Sequence, residues 1–186
     1  MPSVVAISGS PSADSRTARV VHHVLHRLTV GGEGADHIAV RDLPAQELLR
    51  GSVAHPVLGR ALEAVARAEG VVVATPVYKA SYSGLVKVFL DLLPQAGLAG
   101  KTVLPLVTGG TLAHMLAMDY ALRPVLSALG ARHVVPGAFL LDSAIERLGA
   151  DACRVDPAAE LRMLEAVDGF TRALTGREAL TLTAGT

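Results

Sequence analysis

The sequence predicts a three-layer α/β/α fold, with helices on both faces of a doubly wound, five-stranded parallel sheet. Short apolar runs alternate with helical patterns along the chain, and most of these runs are apolar at nearly every position. Strands that are apolar on both faces are typical of parallel sheets covered by helices. Right-handed crossovers then give a doubly wound sheet, and five strands suit the order 2-1-3-4-5.

Five runs account for the strands: residues 4–7, 35–40, 71–74, 102–107 and 134–141. The second run is more polar than the others and is expected near an edge of the sheet. Pro105 and Pro136 lie inside the last two runs. Proline donates no backbone hydrogen bond and favours a strand start, a bulge or an edge position, so the sequence defines these two strands least well.

Five helical patterns separate or follow the strands: residues 17–28, 56–68, 83–93, 112–129 and 156–174. Three of them carry terminal signals, since Pro56 suits a first helical turn, Ser83 suits an N-cap and Gly130 suits a C-terminal stop. Residues 1–174 are therefore expected to form one domain. Residues 175–186 are expected to form a loose C-terminal tail.

Composition excludes several classes of function. The 186 residues include 17 basic and 17 acidic side chains, so a net charge of zero gives no general attraction to nucleic acid or to an anionic membrane. No apolar segment approaches the 18 residues of a membrane span, and no secretion signal or metal-ligand pattern is present. Cys153 is the single cysteine, which excludes an intrachain disulfide and indicates a reducing compartment, the cytoplasm.

Three loops follow strands whose carboxyl ends should meet at one edge of the sheet, where ligands of this fold class bind near the switch point. The first loop (residues 9–17) carries the hydroxyls of Ser10, Ser12, Ser15 and Thr17 and the guanidinium of Arg16. Hydroxyls and free amides at a helix start suit a phosphate. The alternative is that these residues only cap the helix and fill a turn.

The second loop (residues 76–84) concentrates two tyrosines and a lysine in a chain that has six aromatic residues. Such a loop suits a planar ligand, with backbone amides at the polar edge of its ring, although exposed tyrosines also mark subunit interfaces. The third loop (residues 108–111) contains Gly109 and Gly110, which permit close approach of a ligand to the backbone. An ordinary tight turn is the alternative there.

Read together, three segments resemble the NAD(P)H-dependent FMN reductases: GSPSADSRT, ATPVYKASYSGLVKVFLDLLP and LVTGGTLAHMLAMDYALRPVLSALGA. The resemblance is greatest to the flavin reductase component of two-component alkanesulfonate monooxygenase systems. It covers residues 4–143 and is weakest in residues 31–51 and after residue 149. It implies a flavodoxin-like fold, FMN as bound flavin or flavin substrate, and NADPH or NADH as the hydride donor.

The resemblance also implies roles for individual residues. In the first loop it assigns the FMN phosphate to Ser10, Ser15, Arg16 and Thr17. In the second it places the isoalloxazine against Pro76, Val77, Tyr78 and Lys79, and in the third it places the other polar edge of the ring along Thr108, Gly109, Gly110 and Thr111. Ser12 and Ser83 are further cofactor-binding candidates, and His114 is either a flavin contact or a structural hydrogen-bonding residue.

Pro124 predicts an irregular fourth helix, because it has no N–H for the carbonyl of Tyr120 four residues earlier. The expected result is a kink or a widened turn. In the alkanesulfonate-linked members, a tyrosine in this segment looks like a one-residue insertion that creates a π-helical turn, and Tyr120 matches it. The resemblance then implies that flavin is an exchangeable substrate and that tetramers form across this helix. A plain proline kink, with Tyr120 as interface filler, is the alternative.

The sequence thus predicts an NAD(P)H-dependent FMN reductase that supplies reduced FMN to a partner monooxygenase in sulfonate sulfur assimilation. Two alternatives stay open: an enzyme with prosthetic FMN that reduces quinones, azo dyes or metal oxyanions, and a flavodoxin-like electron carrier. The neutral charge and the missing T-x-T-G-x-T motif count against the carrier. A homo-oligomer, most simply a homotetramer, is expected from apolar positions on several faces of the fourth helix: Leu112, Met115, Leu116, Met118 and Leu122.

Overall fold

A computed structural model describes residues 3–30, 34–149 and 151–183. Its strands are β1 (Ser3–Ser8), β2 (Gly34–Ala39), β3 (Gly70–Tyr78), β4 (Ser81–Tyr82), β5 (Thr102–Gly109), β6 (His133–Val134), β7 (Ala138–Leu141), β8 (Ile145–Leu148) and β9 (Ala152–Val155). Its α-helices are α1 (Arg16–Val30), α2 (Ala45–Arg50), α3 (Pro56–Arg67), α4 (Gly84–Leu90), α5 (Arg123–Ala128) and α6 (Pro157–Thr183).

The main sheet is parallel and has the strand order β2-β1-β3-β5, with β6 and β7 both pairing with β5 at the far side. β6 and β7 are two parts of one fifth strand. Counted that way, the order is the predicted 2-1-3-4-5, and the flavodoxin-like fold class is confirmed. The more polar strand β2 lies at the edge beyond β1, as expected.

The two prolines lie where the fifth strand is interrupted. Pro136 falls in the gap between β6 and β7. The Val103 carbonyl accepts from the Val135 amide at 3.0 Å, so the backbone of Val103 faces the fifth strand. Because alternate residues of a strand face the same side, the missing N–H of Pro105 points toward the gap. Gly137 lies in this gap, where a larger residue would not fit, because a Cβ there would lie 2.7 Å from Pro105 Cγ.

Two hydrophobic cores lie on opposite faces of the sheet. One packs α3, α4 and α5 against it and contains the fully buried ring of Phe89. The other packs α1 and α6 against it and contains the fully buried ring of Phe170. Helices on both faces explain why β3 and β5 are buried along nearly their whole length. None of the helices in the described ranges is long and apolar enough to cross a membrane.

The structure corrects the prediction at several points. Helix α6 continues to Thr183, past residue 174 where the sequence predicts the start of a loose tail, and residues 184–186 lie outside the described ranges. The chain has no proline after Pro157 to stop this helix. The helix expected over residues 112–129 is divided into a 3₁₀ turn (Leu112–His114), a π-helix (Met118–Leu122) and α5. The sequence also missed α2, β4 and the hairpin of β8 and β9.

Candidate active site

The three loops singled out in the sequence leave the sheet at one edge. Ser8 at the end of β1 pairs with Ala74, and further along the same direction Pro76 pairs with Thr108 of β5. β1 lies between β2 and β3, so the connections from β1 and β3 diverge to opposite sides of the sheet at this edge. This is the switch point at which ligands bind in doubly wound sheets.

Buried hydroxyls join the three loops into one unit. The Thr17 and Thr108 hydroxyls lie 2.7 Å apart, which connects the first loop to the third. The Ser83 hydroxyl donates to the Gly9 carbonyl, which connects the second loop to the first. Ser83 also caps α4, since its oxygen accepts from the Val86 amide at 3.2 Å. Thr17, Ser83 and Thr108 are each at most 2% exposed, so their contacts fix the relative positions of the loops.

The serines of the first loop shape its backbone. Ser15 is the N-cap of α1, because its hydroxyl accepts from the Ala18 amide at 3.0 Å. The Ser10 hydroxyl accepts from the Ser12 amide at 3.4 Å, and the Ser12 hydroxyl accepts from the Asp14 amide at 3.2 Å. The capping and turn roles left open by the sequence are therefore present. They are compatible with phosphate binding, because a helix start still offers amides without intrahelical acceptors.

Arg16 stands at the first position of α1 and is half-buried. Its Nε donates to the carbonyl of Ile145 at 3.3 Å, which holds the side chain against β8. This contact uses one of the five donors of a guanidinium. The assignment of Arg16 to a phosphate stays a prediction.

The second loop is a β-hairpin. Val77 pairs with Tyr82 and Tyr78 with Ser81, which leaves Lys79 and Ala80 as a two-residue turn. Both turn residues have positive φ, 50° and 63°, as a type I′ turn requires. The sequence missed this hairpin because the turn lacks the Asn or Gly that such φ angles favour. Strained backbone of this kind clusters at functional sites. Pro76 and Val77 are buried, whereas Tyr78 is 49% exposed.

The third loop approaches an aromatic ring closely. A Cβ at Gly109 would lie 3.0 Å from Phe139 Cζ, so any larger residue at this strand end would press on the ring of Phe139. Gly110 and Thr111 are exposed. Thr111 caps the 3₁₀ turn, its hydroxyl accepting from the Ala113 amide at 3.4 Å. His114 follows, and its Nδ1 is buried without a hydrogen-bond partner in the described part of the chain.

The widened turn predicted from Pro124 is confirmed. Residues Met118–Leu122 form a π-helix, in which the Arg123 amide donates to the Met118 carbonyl five residues earlier. Tyr120 lies in the middle of this turn and is 79% exposed. Strand β4 of the second loop packs against the π-helix, so Tyr120 belongs to an element that contacts the candidate site.

Exposed apolar side chains surround this turn. Leu112, Met115 and Leu116 are 64%, 48% and 57% exposed. With Tyr78 and Tyr120 they form what we call the apolar rim. Met118 and Leu122, which the sequence grouped with them, are instead buried in the core on that face of the sheet. The segment from Leu112 to Leu122 thus presents apolar side chains both toward the core and toward solvent, which is unusual for a surface segment.

A histidine relay lies below the first loop. His37 on β2 is within 2.9 Å of the Ser8 hydroxyl through Nε2 and within 3.0 Å of His22 Nε2 through Nδ1. Burial, and secondly the neighbouring His22, lowers the pKa of His37 from 6.5 to about 4. The ring is therefore neutral at physiological pH. Ser8 ends β1 directly before the first loop, so the relay supports the backbone from which that loop begins.

These residues fit FMN. The helix start at Ser15 suits the phosphate, and the unpartnered His114 Nδ1 lies beside the glycines of the third loop, where the polar edge of a ring would supply a partner. The three loops that carry the assigned residues leave the sheet at one edge, and the hydroxyls assigned from the sequence also contact the protein: Ser10, Ser12, Ser15, Thr17, Ser83, Thr108 and Thr111. Cofactor contacts of individual residues stay predictions.

Comparison with known proteins agrees with this fit. The family model described as NADPH-dependent FMN reductase matches residues 2–146. Two relatives named FMN reductase (NADPH) are similar over 94% of this chain: one from Pseudomonas putida is 43% identical and covered to 89%, and one from Escherichia coli is 39% identical and covered to 91%. A solved structure of an NADH:FMN oxidoreductase in its apo form is 47% identical, with a TM-score of 0.83 over 91% of this chain and 88% of its own. The chain therefore belongs to the NADPH-dependent FMN reductase family.

Proposed function

We propose that this protein uses reduced nicotinamide to reduce FMN as an exchangeable substrate, and that it passes reduced FMN to a partner monooxygenase. Family membership supports the oxidoreductase activity and the cofactor pair of FMN and NAD(P)H. The observation that favours exchange is the π-helical turn, which carries the exposed Tyr120. This turn contacts strand β4 in the hairpin of the second loop. The resemblance to alkanesulfonate-linked reductases supports a partner in sulfonate sulfur assimilation.

Bound together, the two cofactors supply the chemistry, a hydride transfer from the nicotinamide to flavin N5, so the protein needs no general acid or base. The protein's task is to bind and orient. The first loop holds the phosphate at the start of α1, and the backbone edges of the second and third loops orient the ring. The buried contact between the Thr17 and Thr108 hydroxyls fixes the first loop, which binds the phosphate, relative to the third loop, which orients the ring.

A homotetramer is part of the same proposal. The apolar rim places two tyrosines and three aliphatic side chains in solvent beside the site. Exposed apolar patches of this kind mark interaction surfaces. A second copy of this chain, applied with closed symmetry, would cover the rim and bring a neighbouring subunit to the open side of the flavin. The free thiol of Cys153 agrees with a cytoplasmic location.

The first test is colour and flavin dependence. An enzyme that treats FMN as substrate should purify largely colourless and oxidise NADPH or NADH only when FMN is added. A yellow protein that reduces quinones or azo dyes without added FMN would support the prosthetic-flavin alternative instead. A protein that binds FMN but oxidises neither nicotinamide would support the electron carrier. The relatives named above differ in the nicotinamide they use, so both should be assayed.

The second test concerns Tyr120. Tyr120→Ala removes the ring that the π-helical turn holds in solvent, and we expect this variant to retain FMN through purification and to reduce free FMN poorly. Leu116→Ala is the matched control, because Leu116 is exposed in the same rim but lies outside the π-helix and is assigned no flavin contact. If Tyr120→Ala is colourless and fully active, and its stability is lower by about 1–3 kcal/mol only, then Tyr120 is packing and the exchange proposal is wrong.

The third test concerns the partner. Mixed with an FMN-dependent alkanesulfonate monooxygenase, FMN and NADPH, the protein should support release of sulfite from an alkanesulfonate. Omitting the protein should abolish the release. A protein that reduces FMN rapidly but supports no monooxygenase turnover would keep the reductase activity and remove the proposed role in sulfonate assimilation.

A further inference from the structure

The hairpin of β8 and β9 lies outside the main sheet and has no role in the site described above. It connects β7 to α6, and its antiparallel strands pair Ile145 with Val155 and Leu148 with Ala152. It packs against α1, the helix that begins at the first loop. The family resemblance is weakest in this part of the sequence, so its contacts have to be interpreted from the structure itself.

Arg19 joins this hairpin to the first loop. The residue is on α1 and is only 7% exposed. Its Nη1 donates to the carbonyls of Gly149 and Ala152, each at 2.8 Å, and to that of Leu148 at 3.3 Å. Its Nη2 donates to Asp14 Oδ1 at 2.7 Å. A buried guanidinium requires acceptors for its donors, and here all of these acceptors belong to the hairpin or to the first loop.

Asp14 is held from a second direction. Arg147 on β8 donates through Nη1 to Asp14 Oδ2, so each carboxylate oxygen accepts from a different arginine. Arg16 reaches the same strand through the Ile145 carbonyl. The segment Asp14–Arg16 is thereby attached to the hairpin at both ends. On the other side of the first loop, Arg41 donates to the Ser12 carbonyl.

These contacts also concentrate positive charge. Arg41 pairs with Asp42 at 3.4 Å, so the connected group contains two aspartates and four arginines, Arg16, Arg19, Arg41 and Arg147. Its net charge is therefore +2, or +1 when the exposed Asp151 in the turn of the hairpin is also counted, although the whole chain is neutral. A phosphate monoester carries a charge of about −1.5 to −2 at neutral pH. The local charge thus complements the group that the first loop is proposed to bind.

We infer that the β8–β9 hairpin is a clamp that fixes the first loop in the shape that binds a phosphate monoester, with Asp14, Arg19 and Arg147 as positioning residues. The inference rests on the proposed FMN-binding function. Asp14 directly precedes Ser15, the N-cap of α1. The clamp therefore fixes the position of the start of α1, where the phosphate is proposed to bind. A loop held in its binding shape loses less conformational entropy when the ligand binds.

The test compares FMN with riboflavin, which lacks the phosphate. We expect Arg147→Ala to weaken FMN binding up to about fivefold, because its pair with Asp14 is partly exposed, and to leave riboflavin binding within about twofold, because only the phosphate depends on the shape of this loop. Arg147→Lys should recover part of the loss. Arg154→Ala is the matched control, since Arg154 is on the same hairpin but pairs with Glu146 at 2.6 Å and does not contact the first loop.

Asp14→Asn separates positioning from charge. It raises the local charge from +2 to +3, which by attraction alone would tighten FMN binding. If the clamp acts through position, the weakened contacts to Arg19 and Arg147 should instead weaken FMN binding severalfold. Tighter binding of FMN by Asp14→Asn would overturn the positioning role. Thermal melting of each variant establishes that it is folded at the assay temperature.

The outcomes also separate this inference from the proposed function. A wild-type protein that oxidises neither NADPH nor NADH when FMN is added would overturn the proposed function. A wild-type protein that reduces FMN but binds FMN and riboflavin equally would overturn the phosphate assignment and the clamp, because the phosphate would then contribute nothing. A wild-type preference for FMN that survives unchanged in Arg147→Ala would overturn the clamp alone. Equal losses for the two flavins in Arg147→Ala would also overturn it, since they would indicate general destabilisation of the site.

Discussion

The two ends of the candidate flavin site are built in opposite ways. At the phosphate end, defined as the first loop with the side chains that contact it, buried hydroxyls and arginines satisfy one another, and Thr17 and Arg19 are almost fully buried. At the ring end, defined as the second and third loops with the π-helix, Tyr78 and Tyr120 are exposed. The turn at Lys79 and Ala80 is strained, and His114 Nδ1 has no partner among the described residues.

This difference indicates that the two ends of the site have different functions. A phosphate is small, doubly charged and the same in oxidised and reduced FMN, so a preorganised loop suits it. The ring changes its state during the reaction and must be reached by nicotinamide and released to a partner. At the ring end, the exposed tyrosines and the unpartnered His114 Nδ1 would gain their contacts only from the ligand and from a neighbouring subunit. Such a site suits exchange of the flavin. The predictions below test whether the phosphate end is as rigid, and the ring end as incomplete, as this comparison requires.

Gly9→Ala should produce the largest effect. A Cβ at Gly9 would lie 2.9 Å from both Val86 Cα and the Ser83 hydroxyl, so α4 would have to move away from the first loop. We expect a loss of about 3 kcal/mol in the free energy of unfolding, measured by urea titration, together with loss of FMN binding.

Gly84→Ala is the control for this substitution, because its Cβ would meet no atom within 4 Å. Gly84 begins α4, where alanine is at least as favourable as glycine, so its stability should be unchanged or slightly raised. If Gly9→Ala is as stable as Gly84→Ala, the phosphate end is not rigidly packed and the comparison fails.

The second prediction concerns pH. The pKa of His37 is lowered by burial to about 4, whereas in the unfolded chain it is near 6.5. Between these pH values the unfolded chain binds a proton at His37 that the folded protein does not. The contribution of His37 to the free energy of unfolding is therefore constant above pH 6.5 and falls as the pH drops toward 4. The loss should be about 2–3 kcal/mol, the lower figure allowing for water that still reaches the ring.

His37→Gln should remove this part of the pH dependence, because the amide does not titrate. Urea midpoints at pH 7.5 and pH 4.5 measure the difference, and His26→Gln serves as a control at an exposed position of α1. Equal pH dependence in wild type and His37→Gln would mean that the relay below the first loop does not contribute to its stability.

The third prediction is that Arg16→Ala weakens FMN binding roughly ten- to hundredfold, since a hydrogen bond to a charged group contributes about 1.5–3 kcal/mol. Riboflavin should bind almost as before. Arg16 tests the phosphate more cleanly than Ser15, whose substitution would also remove the N-cap of α1. Fluorescence titration with both flavins measures the ratio, and equal losses would contradict the phosphate assignment.

The sequence predicted what depends on local pattern. Buried strands are continuous apolar runs, so the positions of the parallel strands and their order followed from periodicity and from the handedness of crossovers. Pro124 predicted a kink or a widened turn, and the resemblance to the FMN reductases implied the π-helical form that the structure shows. The three loops followed from their positions after strand ends.

What the sequence did not predict depends on distant contacts or weak local signals. The second-loop hairpin has Lys79-Ala80 where a type I′ turn normally shows Asn or Gly. Strands β8 and β9 have few buried residues, so they lack an apolar alternation. The contacts of Arg19 with Leu148 and Ala152 span 129 and 133 residues, and no spacing in the chain indicates them. The phosphate end was therefore predicted as a set of hydroxyls with Arg16, and the supporting arginines Arg19, Arg41 and Arg147 were missed.

The smallest expected effect tests the ring end. His114→Phe keeps a ring of similar size but removes the buried Nδ1 that has no partner among the described residues. A buried unsatisfied nitrogen is unfavourable, so the unliganded protein should be as stable as wild type or more stable by up to about 1 kcal/mol. If the flavin ring supplies the missing partner, FMN and riboflavin should both bind about two- to tenfold more weakly. This equal loss is the opposite of the pattern expected for Arg16→Ala. A purely structural His114 would give a less stable protein with unchanged flavin binding, and the ring end would then be complete without its ligand.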